Sequence, residues 1–297
     1  MFLLRYQGIV MSASRNDDLL VTELEMPTTE IRENSTFRFG SDGAASGPEW
    51  LGEAFWTWTV TTNVRSLPVA MALSGQLEAA WKDPAVRSSH SHVPLEYSHD
   101  NGATWYRVYG RPGRFTPLTP DYRAMSGVGA MVLEFVQRDP LHYASEESFT
   151  RIGVNQASTG TAWRFPLRFP LSGVASGEPR AGLIVNRGDR PAPVRAVFKG
   201  PGSNFRLWGE GFEAGYKGAL AHDQTLTLDG VERTSIRRTG GSRVRHVTPT
   251  RKTRLTQLHL PPGTSNLWFE TTDPTGVSHV DIYWRAAYTS MQGGLHV

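Results

Sequence analysis

The chain has 297 residues, 39% of them apolar and 20% charged, which is enough for two ordinary cores and too apolar for a disordered chain. Nine Trp, nine Tyr and thirteen Phe favour a mainly β protein, and the absence of Cys excludes disulfides, cysteine metal sites and thiol catalysis. The net charge of +3 conceals opposite halves: residues 1–150 carry 12 Lys and Arg against 18 Asp and Glu, a balance of −6, while residues 151–297 carry 19 against 10, a balance of +9.

Met1 to Val10 reads as a first strand, too short to span a bilayer and without the charge, apolar run and cleavage site of a signal peptide. No later segment reaches the ~18 consecutive apolar residues of a membrane helix, so no membrane insertion is expected. Leu19 to Glu25 alternates as a strand and stops at Met26-Pro27, and Phe37 to Pro48 is a Gly, Ser and Asp-rich turn region. From Phe55 to Thr61 the alternation is strict, Trp56, Trp58 and Val60 on one face and Thr57, Thr59 and Thr61 on the other. Ala70, Leu73, Leu77, Ala80 and Trp81 have helical spacing and end at Asp83-Pro84. One helix over a sheet implies an α+β N-terminal domain. His90 and His92 lack a nearby carboxylate or cysteine and read as a solvated loop, not a metal site.

The stretch Pro94 to Ala144 carries the most information. Leu95 and Tyr97 belong to a strand, His99-Asp100-Asn101-Gly102 has the chemistry of a hairpin turn, and Trp105, Arg107 and Tyr109 alternate on the return. Pro112, Pro117 and Pro120 then predict an exposed loop from Gly110 to Met125. In the next strand Met131, Leu133 and Phe135 face one side and Val132, Glu134 and Val136 the other, up to Asp139-Pro140. Ser98, Asp100, Gly102 and Trp105 form an SxDxGxxW turn motif. In it the Asp caps the turn, the Gly permits it and the Trp packs beneath, so the motif is structural, not catalytic.

The order of this hairpin, VYGRPGRF, MVLEFVQ and RDPLHYA resembles the N-terminal half of the distal tail proteins of long-tailed, siphovirus-type bacteriophages. The resemblance implies a ring-forming domain over residues 1–150, with one helix and a hairpin that joins neighbouring subunits, followed by a galectin-like β-sandwich over residues 151–297.

Between Ala144 and Thr161 short polar residues suggest a linker, and Trp163, Phe165, Leu167, Phe169 and Leu171 predict an edge strand with Pro166 and Pro170 on its outer face. Leu183 and Val185 lead into a turn at Asn186 to Asp189, and Val194, Ala196 and Phe198 lead out to Gly200, a pattern that resembles the start of the same family's C-terminal sandwich. Arg187-Gly188-Asp189 is read as a turn and not as an adhesion motif. Gln224 to Gly230 predicts a strand and turn, with Val231 to Arg233 returning. Next come Arg233, Arg237, Arg238, Arg243, Arg245, Arg251, Lys252 and Arg254 without an acid among them, read as a mobile, solvated arm with the charge to bind an anionic partner. It lacks aromatic residues that stack on bases, so sequence-specific nucleic-acid binding is not expected. Leu267 to Glu270 is a short strand. Val280, Ile282, Trp284, Ala286 and Tyr288 share one face of the last, opposite His279, Asp281, Tyr283 and Arg285.

The resemblance thus implies a structural hub of the tail tip, a homo-hexameric ring with a DNA channel, located in the virion and assembled in the host cytoplasm. Its expected partners are the tail tube protein, the tape measure protein and the tail-associated lysin of the tip. No catalytic residue, cofactor or metal is expected. Lysine is confined to Lys82, Lys199, Lys217 and Lys252, a bias toward Arg that suits a GC-rich genome and an actinobacterial host. Two other readings stay open. A receptor-recognition protein binding a host-surface glycan needs an exposed Trp beside polar groups such as Asp281 or Arg285, and a glycosidase needs two carboxylates within catalytic reach.

Overall fold

The computed structural model describes residues 1–38, 42, 44–88, 92–154, 180–240, 243–273 and 275–292. It is mainly β and falls into two compact units, Met1–Glu146 and Glu147–Val297.

In the first unit, β1 (Leu3–Tyr6) and β2 (Ile9–Ser12) form a hairpin where the sequence suggested one strand. Gln7 and Gly8 both have positive φ, the twist that a two-residue turn requires. There follow β3 (Leu19–Glu25), β4 (Thr29–Arg32), the small β5 (Ser35–Phe37) and β6 (Ala44–Ser46) pair, and β7 (Trp50–Thr62). Helices α1 (Leu67–Trp81) and α2 (Pro84–Ser88) lead to β8 (Val93–Ser98) and β9 (Tyr106–Thr116), then α3 (Tyr122–Met125), β10 (Ala130–Gln137) and β11 (His142–Ala144). The strands run β10-β7-β3-β2-β1-β8-β9, and β9 pairs in turn with β10, so the sheet closes on itself. Closure leaves one interior to fill. The expected faces do so: Trp56, Trp58, Val60, Met131, Leu133 and Phe135 are all buried, and α1 adds Ala70, Ser74, Leu77 and Trp81. Trp81 packs against Tyr6 and Trp58 at ring-centroid distances of 4.7 and 5.6 Å.

The predicted loop from Gly110 is corrected. β9 continues through Pro112 to Thr116, and α3 follows, capped by Asp121, whose carboxylate accepts the Ala124 amide at 2.9 Å. Pro112 has no N–H for a ladder, and β10 shifts register between Leu133 and Phe135 where Pro112 lies opposite. Gly110 lets the two backbones approach: a Cβ there would lie 2.1 Å from the Val136 carbonyl oxygen.

The second unit is a sandwich of two sheets. Its strands are β12 (Ser148–Gly153), β13 (Arg180–Asn186), β14 (Ala192–Lys199), β15 (Ser203–Gly209), β16 (Phe212–Tyr216), β17 (Gln224–Asp229), β18 (Thr234–Thr239), β19 (Arg243–His246), β20 (His259–Leu260), β21 (Gly263–Thr272), β22 (His279–Trp284) and the short β23 (Ala287–Tyr288). One sheet runs β12-β22-β14-β17-β18-β19 and the other β13-β21-β15-β16. Phe198 of the first meets Phe205 and Phe269 of the second at 5.9 and 6.0 Å, which places the core between them. β12 occupies part of the stretch expected to be a linker, because Ile152 is buried and Phe149 lies against Tyr283. The edge strand expected at Trp163 to Leu171 and His90 lie outside the described residues. β21 is longer than the short strand predicted at Leu267.

Candidate functional site

The turn motif is fully occupied with holding the β8–β9 hairpin. Ser98 Oγ donates to Asp100 Oδ1 at 2.7 Å and accepts the Gly102 amide at 2.9 Å, and Asp100 Oδ1 accepts the Thr104 amide at 2.8 Å. Bonds from the Thr104 backbone and side chain and from Ser98 hold the Asp100 carboxyl down at about 2. Asn101 and Gly102 take positive φ, and the Asn101 amide reaches Met1 O at 3.0 Å. Trp105 is covered by the Arg5 guanidinium, 4.2 Å from its ring. Arg5 and Arg107 also converge on Glu96, at 2.6 and 2.7 Å. Burial opposes ionisation of Glu96, but bonds from Ser145 and Arg5 and the two positive charges outweigh it and hold its pKa below the ordinary carboxylate value. This constellation fastens the first strand to the hairpin.

Much of the basic segment is built into strands. Arg237 and Arg238 stand on β18 and Arg245 on β19, in a paired hairpin at the edge of a sheet, with Arg237 directly opposite Arg245. Like charges in that position cost stability, and cationic side chains guard an open edge against pairing with another strand. The return to β18 starts at Thr234, not Val231, because Asp229 Oδ1 accepts the amides of Val231 and Glu232 at 2.8 and 3.0 Å and Arg233 takes positive φ.

Arg251 and Lys252 lie elsewhere. They belong to a segment laid across β16, where Thr250 N donates to Gly215 O at 2.9 Å and the Gly215 amide donates to Thr253 Oγ1 at 2.8 Å. Between this segment and β15–β16 opens a cleft of about 730 Å³, lined by Arg206, Glu213, Tyr216, Lys217, Arg251 and Lys252 among others. Glu213 accepts from Arg206 at 3.0 Å and lies 3.8 Å from Lys252. The sequence pointed to Arg251 and Lys252 but missed Arg206, Glu213 and Lys217. Outward alternation on β15 and β16 was the signal available, and only the tertiary fold brings it to the same place.

Trp268 and Trp284 occupy different environments. Trp284 is buried, and its Nε1 donates to Val185 O at 3.2 Å in the opposite sheet. Trp268 lies half-buried, stacked on Trp208 at 6.3 Å, away from the core. Asp281, on the strand face opposite Val280, is 1% exposed and is bound by Arg151 and Lys199 at 2.6 and 2.9 Å. Burial raises its pKa, but those two hydrogen bonds and charges bring it below the ordinary value. The Arg187-Gly188-Asp189 turn is likewise built in: a Cβ on Gly188 would lie 2.0 Å from Ala287 O, and Asp189 accepts the Thr289 amide at 2.8 Å. Among the described residues no group of His, Asp and Glu could hold a metal ion, and no helix is long and apolar enough to cross a membrane.

One further surface is unpartnered. β4 pairs with the start of β7, Ile31 opposite Leu51 and Arg32 opposite Trp50. Ile31, Trp50, Leu51 and Phe55 are 59, 56, 43 and 46% exposed.

No family model matches the sequence, and no curated protein is similar to it in sequence. Solved structures share its fold. The Dit protein (gp 19.1) of phage SPP1, described as a paradigm of the hub of the adsorption apparatus in phages infecting Gram-positive bacteria, aligns over 96% of this chain and 98% of its own, with 14% identity and a TM-score of 0.56. A chain of the phage P2 baseplate in its activated conformation with calcium aligns over 96% and 97%, with 12% identity and a TM-score of 0.54. The strontium form of that baseplate gives the same values. The likeness therefore extends over both units of the chain.

Proposed function

We propose that the protein is a structural hub of a phage tail tip, in which copies of the chain close a hexameric ring through their N-terminal units while the C-terminal sandwiches project outward. The observation that carries this reading is the apolar surface of the β4–β7 hairpin, which a single chain leaves in water. Shared fold with phage hub and baseplate proteins supports the role. The work is mechanical: to end the tail tube, seat the tape measure and tip proteins, and leave a lumen for DNA in the virion of a long-tailed phage. An actinobacterial host agrees with the scarcity of Lys. The β18–β19 arginines lie outside the channel in this arrangement, since attraction to phosphates would retard DNA.

Light scattering across a concentration series tests it. A mass near six times 32.9 kDa supports the ring, and Ile31→Asp with Leu51→Asp should reduce it to one chain. A wild-type monomer at every concentration overturns the self-assembling ring.

A further inference from the structure

The cleft on the outer face of β15–β16 has features that ring assembly does not use. Its wall is fixed in place, because Thr250 and Thr253 hydrogen-bond to both backbone groups of Gly215 and to each other at 2.9 Å. The site is thus preorganised for a ligand. Arg206, Lys217, Arg251 and Lys252 face it against the single carboxylate of Glu213, which is already engaged by Arg206 and Lys252. Lys217 and Arg251 form no ion pair among the described residues. Two cations on facing walls therefore have their charge unmatched, an arrangement suited to an anion. The rest of the lining has a different chemistry: Thr248 and Asn204 offer hydroxyl and amide groups. Neutral hydrogen-bonding groups beside the cations fit a chain of sugar or polyol units better than a bare ion. The volume of about 730 Å³ accommodates a short segment of such a chain and no duplex.

We propose that this cleft binds a hydroxyl-rich anionic chain, a saccharide or polyol polymer bearing phosphate or carboxylate groups. Lys217 and Arg251 take the anionic groups, and Glu213, Thr248 and Asn204 hydrogen-bond to ligand hydroxyls. The inference is independent of the ring and holds for the monomer equally.

The test is fluorescence anisotropy of labelled oligo(glycerol phosphate) and labelled oligogalacturonate titrated with the full-length protein, with neutral maltohexaose and polyglutamate as competitors. Expected is saturable binding of at least one of the two anionic chains, weakening with added salt, the tighter of the two naming the anion. Lys217→Ala with Arg251→Ala should weaken it by about tenfold or more, whereas Arg237→Ala with Arg238→Ala on the β18–β19 hairpin, which does not line the cleft, should change it by less than about twofold. The proposal is overturned if neither chain saturates, if the hairpin variant loses as much as the cleft variant, or if polyglutamate competes as well as the chains themselves.

Discussion

The indole N–H of Trp56 donates to Oε1 of Gln137 at 2.8 Å inside the closed sheet, and Gln137 Nε2 donates in turn to Asp139 O at 2.7 Å. One buried amide thus satisfies a core tryptophan and the chain that leaves β10. Gln137→Met keeps the volume but strands both partners, and should cost the first unit about 2–3 kcal/mol in urea denaturation.

His142 makes the same unit sensitive to acid. It is buried, with Nδ1 2.8 Å from the Tyr97 hydroxyl, and its pKa is pushed down to about 4, first by burial and then by the charge of His99. The folded state therefore holds the neutral ring, and the unfolded chain binds the extra proton. The stabilisation is complete above the ordinary value of about 6.5, drains away as pH falls toward 4, and is worth about 3 kcal/mol. Denaturation midpoints measured from pH 7.5 to 4.5 should fall, and His142→Gln should flatten that part of the profile.

In the sandwich the two sides of the Asp281 cluster should respond unequally. Arg151 and Lys199 are solvent-accessible, so Asp281→Ala releases them into water and should cost about 1–3 kcal/mol. Arg151→Met with Lys199→Met instead leaves a buried carboxylate alone, and should cost about 3–5 kcal/mol. Urea midpoints of the three proteins check the order.

Gly110→Ala should be among the most damaging small substitutions. Its Cβ would meet the Val136 carbonyl at 2.1 Å and Phe135 Cε1 at 2.7 Å, so β9 and β10 must part. A loss of about 3 kcal/mol or more is expected by thermal denaturation, against about 1 kcal/mol for an ordinary exposed strand glycine.

Strict alternation made the interior legible: Trp56 to Val60, Met131 to Phe135 and Val194 to Phe198 each place their predicted face in a core. The turn motif was legible for the same local reason, since Ser98, Asp100 and Gly102 bond within five residues. What failed was anything whose compensation lies far along the chain. Pro112 reads as a strand breaker until β10 is seen to shift beside it. The charge run reads as one arm until β18 pairs with β19 and Gly215 captures Thr250. The face of Asp281 was legible, opposite Val280, but not that Arg151 from another strand binds it there.

Closure of the first sheet through β9 and β10 also sets a schedule for synthesis. β10 joins partners on both sides, and one of them, β7, is paired from Ala54 onward with residues as late as Gln137. The nascent chain cannot seal this unit until β10 has left the ribosome, and before that moment Trp56 and Trp58 have no complete interior to enter. A pause in translation before residue 137 should therefore yield aggregation instead of a smaller folded domain.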